Sequence, residues 1–146
     1  EILRILRRRY ERVSIERLIC GPGLLNMHRA LAEIDGRESH IDDPAEITRQ
    51  AMAEPNSTCG ATLARFCAIL GSVAGDIALT LGARGGVYVA GGIAPRILPF
   101  LKASPFRERF EKKGRFQPYL AEVPTWVITH EHAALLGAAR VAFDRD

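Results

Sequence analysis

Apolar positions recur three and four residues apart along most of the chain, and in two places they run together. At the start, Ile2, Leu6, Tyr10 and Val13 share one helical face with Leu3 beside them, and arginines take the other face. Arg17 to Cys20 reads as a short strand or an extended connector, broken by Gly21-Pro22-Gly23. A helix follows, with Leu24, His28, Leu31 and Ile34 along one side. Another opens at DDPAE: Asp43 is suited to the N-cap, Pro44 to the first helical position, and Glu46 to completing a capping box. The longest predicted helix covers 57–81, with a stripe of Leu63, Phe66, Leu70, Val73, Ile77 and Leu81. Many of its other residues are glycine or alanine, among them Gly71, Ala74, Gly75 and Ala78, so another element can approach it closely. Gly82 suits its C-cap.

The two continuous apolar runs, 87–90 and 123–129, have the pattern of strands buried on both faces. Between them the spacing predicts a helix from about Pro95, kinked at Pro99, and a shorter one with Ser104 as cap, Pro105 at its start and Gly114 as its stop. A last helix over 132–143 would turn Leu135, Leu136, Ala139 and Phe143 inward. Two strands joined through helices imply a parallel pair with a right-handed crossover. Two strands alone are not a stable sheet. The first helix also lacks an N-cap, because Glu1 is already in helical phase. The pattern therefore predicts an α/β fold whose other strands lie upstream.

Composition adds limits. The 146 residues are 47% hydrophobic and 25% charged, as in one globular domain with a real core. The apolar runs read as too short to cross a bilayer, and EILRILRRRY contains no signal-peptide core. Net charge is +3, with six arginines at Arg4, Arg7, Arg8, Arg9, Arg12 and Arg17. No aromatic platform accompanies them, so they read as a solvated face that binds no nucleic acid. Cys20, Cys59 and Cys67 form no CxxC pair and read as reduced thiols, the last two as small packing residues. His28 reads as a satisfied core histidine, and His40 lies in a polar loop. His130-Glu131-His132 puts two imidazoles on one face of a continuing strand without an evident third metal ligand.

The candidate chemistry centres on GGVYVAGGIAPRI, where Gly85-Gly86 and Gly91-Gly92 bracket the first strand. In parallel sheets ligands bind beyond the C-terminal strand ends. Glycines there let a flat ring or a phosphate lie against the backbone, and the following helix adds N–H groups. A tight turn with no ligand would use the same residues, and the stretch matches neither common phosphate-loop fingerprint. Glu16 could accept two hydroxyl hydrogen bonds, or it could be a surface carboxylate paired with Arg12 or Arg17.

SIERLICGPGLLN, GGVYVAGGIAPRIL, FEKKGRFQPYL and LLGAAR, in that order and spacing, resemble the bacterial glucokinase family of the actin-like ATPase and sugar kinase superfamily. The resemblance covers nearly the whole chain. It implies a ribonuclease-H-like actin-type ATPase fold, with residues 1–146 as the C-terminal part of the large domain and the small domain elsewhere. It implies transfer of phosphoryl from ATP, with Mg²⁺, to glucose, in a cytoplasmic enzyme that forms a homo-oligomer such as a dimer. By the same resemblance Glu16 contacts the sugar hydroxyls, Gly85, Gly86, Gly91, Gly92 and Ile93 lie on the nucleotide side, and Gly137 packs closely in the closing helix. The family's Gly-Gly-Thr and Gly-Thr-Gly phosphate loops, its Asn-Asp pair and its Glu-Gly-Gly-His segment do not occur here, and the HEH stretch departs from its pattern. No catalytic residue and no metal ligand is therefore expected within the chain, and these residues alone are expected to be inactive. The alternatives are a sugar-responsive transcription regulator on the same fold, a fusion of regulator and kinase, and an assembly domain.

Overall fold

The computed structural model describes residues 1–143. In chain order the elements are α1 (Ile2–Leu6), α2 (Glu16–Ile19), α3 (Gly21–Ile34), α4 (Pro44–Ala53), α5 (Thr58–Leu81), β1 (Val87–Val89), α6 (Ile93–Arg96), α7 (Leu98–Ala103), α8 (Phe106–Glu111), a 3-10 turn (Gly114–Phe116), α9 (Gln117–Ala121), β2 (Thr125–Val127) and α10 (Ala133–Phe143).

The axis is α5, with α2, α3, α4 and α8 packed around it. Ser57 caps it by accepting from the Gly60 N–H at 3.1 Å, and it ends at Gly82 in the left-handed conformation. Leu24, Met27, Ile47, Leu63, Phe66 and Phe110 fill the core around it. The small residues decide which side is buried. A Cβ on Gly71 would stand 2.1 Å from the Phe106 carbonyl oxygen, and one on Gly75 2.3 Å from that of Phe110, so α8 lies directly on the glycine side. The predicted stripe of large residues is therefore only half right. Leu63 and Phe66 are buried, whereas Ile77 and Leu81 are 51% and 74% exposed. Contrary to the composition-based expectation, α5 is long and apolar enough to span a bilayer by length and composition, but its buried side is packed as a core helix.

Several local expectations are corrected. The first helix stops at Leu6 instead of running on to Val13, and Arg8 and Arg9 close its end with i→i−3 bonds to Ile5 and Leu6. Like charges at Arg8 and Arg12 would oppose its extension. Tyr10 and Val13 still pack on Ile5, Leu6 and Ala30. Residues 17–19 are helical, not extended, with the Ile15 carbonyl accepting from Leu18 and Ile19, and only Cys20 is extended. Among the described residues no strand lies beside this segment to take its backbone groups. The capping box is half formed: Asp43 accepts from the Ala45 N–H at 2.9 Å, but the Glu46 carboxylate turns forward to Arg49 and Gln50. Ile97 splits the helix expected from Pro95, leaving Pro99 in the first turn of α7, where its missing N–H costs nothing. The last turn before β2, α9, was not foreseen.

β1 and β2 pair in parallel as expected, with Val87 opposite Thr125, Tyr88 opposite Trp126 and Val89 opposite Val127. They are shorter than predicted and are not buried on both faces. Tyr88 and Trp126 stack at 4.8 Å on an open face, while Val87, Val89 and Val127 pack toward the core. The inward turn of the last helix is also corrected. No residue of α10 is buried; Leu135 is 70% and Phe143 85% exposed, because no other described element covers it.

Candidate functional site

The site is organised by the first turn of α3. Cys20 precedes that helix in an extended conformation, and its Sγ accepts from the Gly23 N–H at 3.3 Å. The thiol thus does the work of a hydroxyl cap, a role that sequence reading did not give it. Gly21 and Pro22 then face different clefts. One cleft, of about 290 Å³, is lined by Pro22 with Tyr10, Ser14, Glu16, Cys20 and Asn26. The other, of about 330 Å³, is lined by Gly21 with Asp43, Thr48, Gly92, Ile93 and Arg96. The two clefts therefore flank one helical turn.

Glu16 opens α2 in the first cleft and is exposed. Its side chain makes no hydrogen bond and no ion pair with the described residues. The pairing with Arg12 or Arg17 does not form: the Arg17 guanidinium lies 4.1 Å over the Tyr10 ring instead. A carboxylate at a cleft mouth with no partner of its own can accept from ligand hydroxyls.

The glycines divide between the two ends of β1. Gly91 and Gly92 follow its C-terminal end, and beyond the adjacent residues no protein atom lies within 4 Å of where a Cβ on either would stand. Gly91 has φ +113°, a conformation that favours glycine, while Gly92 has an ordinary φ of −78°. Ile93 starts α6 beside them, and Gly92 and Ile93 line the second cleft. Gly85 and Gly86 precede the strand and do not line it. Gly85 is open to solvent, whereas a Cβ on Gly86 would stand 1.9 Å from the Trp126 ring, so Gly86 seats that ring. Asp43, the N-cap of α4, and Thr48 within it were missed as lining residues because they lie more than forty residues before Gly92 in sequence.

The remaining candidates are structural. His28 is buried, as expected, with Nδ1 at 3.2 Å from the Thr62 hydroxyl. Burial, helped by Arg29 and Arg37, lowers its pKa. Burial pushes the Cys67 thiol up to about 11, which keeps it protonated and inert. His130 Nδ1 accepts from the His132 N–H at 3.1 Å, a local turn at the end of β2. Among the described residues no three His, Cys, Asp or Glu side chains are grouped to hold a metal ion.

The sequence pattern of the family described as Glucokinase matches residues 1–145. A glucokinase of Caulobacter vibrioides is 55% identical over 141 residues, 95% of this chain and 42% of that protein. One of Hahella chejuensis is 51% identical over 138 residues, 94% of this chain and 43% of the relative. The solved glucokinase of an Antarctic psychrotroph superposes with a TM-score of 0.87 at 39% identity, covering 96% of this chain and 44% of that one. The chain thus spans less than half the length of the relatives it matches.

Proposed function

The chain belongs to the glucokinase family, and on that premise we propose that it is the C-terminal part of the large domain of an ATP-dependent kinase that converts glucose to glucose 6-phosphate. The observation that carries the proposal is the match over residues 1–145 combined with two clefts on either side of one helical turn. Sugar and nucleotide must meet for phosphoryl transfer, and clefts that share the α3 turn suit neighbouring ligands. The sugar occupies the Glu16 cleft, where the free carboxylate accepts from its hydroxyls. The nucleoside of ATP lies at Gly91, Gly92 and Ile93, where backbone is approachable without a Cβ. Gly85 and Gly86 contribute on that side by setting the strand that ends there. The finer fold is the ribonuclease-H-like actin-type ATPase fold, with the missing strands and small domain supplied by other parts of the complete protein.

The phosphate loops and the general base would come from outside these residues, so this chain binds and orients while the base acts from elsewhere. The Mg²⁺ that accompanies ATP finds no grouped ligands among the described residues, and no metal contact is assigned to this chain. A cytoplasmic homo-oligomer fits the same proposal. The relatives reported above are named glucokinases, and none of them is named a regulator.

The test is steady-state kinetics of the complete protein with the Glu16→Gln variant, checked for folding by circular dichroism. Glucose-dependent ATP consumption is expected. The variant should weaken glucose binding by about 1.5–3 kcal/mol per lost charged hydrogen bond, less what the amide retains. The ATP KM should stay nearly constant, because only sugar binding is touched. An unchanged glucose KM would remove Glu16 from the sugar site.

A further inference from the structure

Glu16 has nothing of its own to aim it. Its carboxylate has no partner among the described residues, and it begins a helix of four residues with no side-chain cap. So short a helix is not self-supporting. Its carboxylate can be held in one place only if the backbone of α2 is tied to something larger. Two ties lead to α3. The first is steric: a Cβ on Gly23 would stand 2.6 Å from the Leu18 carbonyl oxygen, so the two helices touch backbone to side. The second is polar. Asn26, only 8% exposed, donates from Nδ2 to the Arg17 carbonyl oxygen at 3.1 Å. Arg17 directly follows Glu16, and its carbonyl is one of those a helix end leaves without a partner.

The orientation of the Asn26 amide is forced. A carbonyl can only accept, so the nitrogen must face Arg17 and the oxygen must face away. That oxygen accepts from the Tyr10 hydroxyl at 3.1 Å. The Tyr10 ring lies under the guanidinium of the same Arg17. Tyr10 and Asn26 therefore grip Arg17 from its side chain and its carbonyl, one residue from Glu16, and both line the Glu16 cleft. We propose that Asn26, seconded by Tyr10, is the positioning residue of the sugar cleft, setting where the Glu16 carboxylate stands by clamping the Arg17 carbonyl to α3. The proposal rests on the sugar-binding role of Glu16 given above. It adds that sugar binding depends on a buried amide whose oxygen and nitrogen are already engaged by Tyr10 and Arg17.

The test uses the complete protein and a double-mutant cycle. Asn26→Asp replaces the donor with an oxygen that repels the Arg17 carbonyl. It should raise the glucose KM about tenfold, equivalent to about 1.4 kcal/mol, and leave the ATP KM unchanged. In a Glu16→Gln background the same change should have little further effect, because a misplaced acceptor and a weakened one lose the same bonds. Tyr10→Phe removes only the hydroxyl and keeps the ring under Arg17. It should give a smaller rise in glucose KM with the same loss of effect in the Glu16→Gln background, and it carries the test if Asn26→Asp does not fold. An unchanged glucose KM in both position variants, or effects that add in full to that of Glu16→Gln, would overturn the proposal and leave the role of Glu16 standing. If Glu16→Gln alone leaves the glucose KM unchanged, the sugar role of Glu16 fails, and the positioning proposal falls with it.

Discussion

At the scale of single residues, the two open glycines differ in what a substitution tests. Gly91 needs a φ of +113°, so a side chain there strains the backbone whatever the ligand does. Gly92 has ordinary backbone and open space, so Gly92→Val should fold normally and raise the ATP KM by filling the nucleotide side of the cleft. A normal ATP KM in that variant would take Gly92 out of the nucleotide site. His28 gives a pH prediction. The Thr62 hydroxyl lies 2.7 Å from the Thr58 carbonyl, so its proton goes there and His28 Nδ1 must donate to the hydroxyl oxygen. Protonation at Nε2 leaves that bond intact; burial and the nearby arginines are what oppose the charge. The folded-state pKa thus lies below the ordinary 6.5, and the unfolded chain binds the proton more readily. His28 therefore supports stability fully above pH 6.5, and that support is lost as pH falls from there through the lowered pKa. Thermal melts from pH 7.5 down to 5 should show a smaller acid loss in His28→Gln than in the parent; equal slopes would refute it. His28 could be placed from helical spacing, but its partner could not, because Thr62 lies 34 residues away.

At the scale of elements, α5 shows how far periodicity reaches. Its length and its Gly82 stop were legible, since each depends on residues adjacent in sequence. Which side is buried was not, because the helix carries two stripes. Large apolar residues mark one, and glycine and alanine mark the other. Close backbone contact with α8 selected the second, at Gly71 and Gly75. Gly71→Val should therefore force α8 outward and destabilise the fold by about 1–3 kcal/mol or more, as overpacking does. Ala61→Leu, on an exposed position of the same helix, should change stability by within about 0.5 kcal/mol. Chemical denaturation of both variants in the complete protein would compare them, and equal stabilities would mean that α8 does not need the glycine side. The two clefts obey the same limit. Glu16 and Gly92 were readable as candidates within their own segments, whereas their placement on opposite sides of the α3 turn required the packing of α4 and α6 against that turn.

At the scale of the whole molecule, the parallel strand pair was legible from the order of elements, and the exposure of its surroundings was not. A two-stranded sheet has little stability of its own. Here its open face carries the stacked Tyr88 and Trp126, and α10 presents Leu135, Leu136, Val141 and Phe143 to solvent. An isolated helix as short as the 11 residues of α10 is marginal in water. Apolar surface of this extent calls for cover. In relatives of more than twice the length, more than half of the polypeptide lies beyond the matched region and could supply it. Residues 1–146 produced alone should therefore bind a hydrophobic dye, elute as large or mixed assemblies, and show no ATP-dependent phosphorylation of glucose. The complete protein should lose the dye signal and gain the activity together, because the segments that cover the sheet are also expected to carry the phosphate loops and the base. Size-exclusion chromatography and a coupled assay on both forms would separate the possibilities. A monodisperse 146-residue monomer that turns over glucose would show that the exposed faces need no cover and that the catalytic groups are already present in this chain.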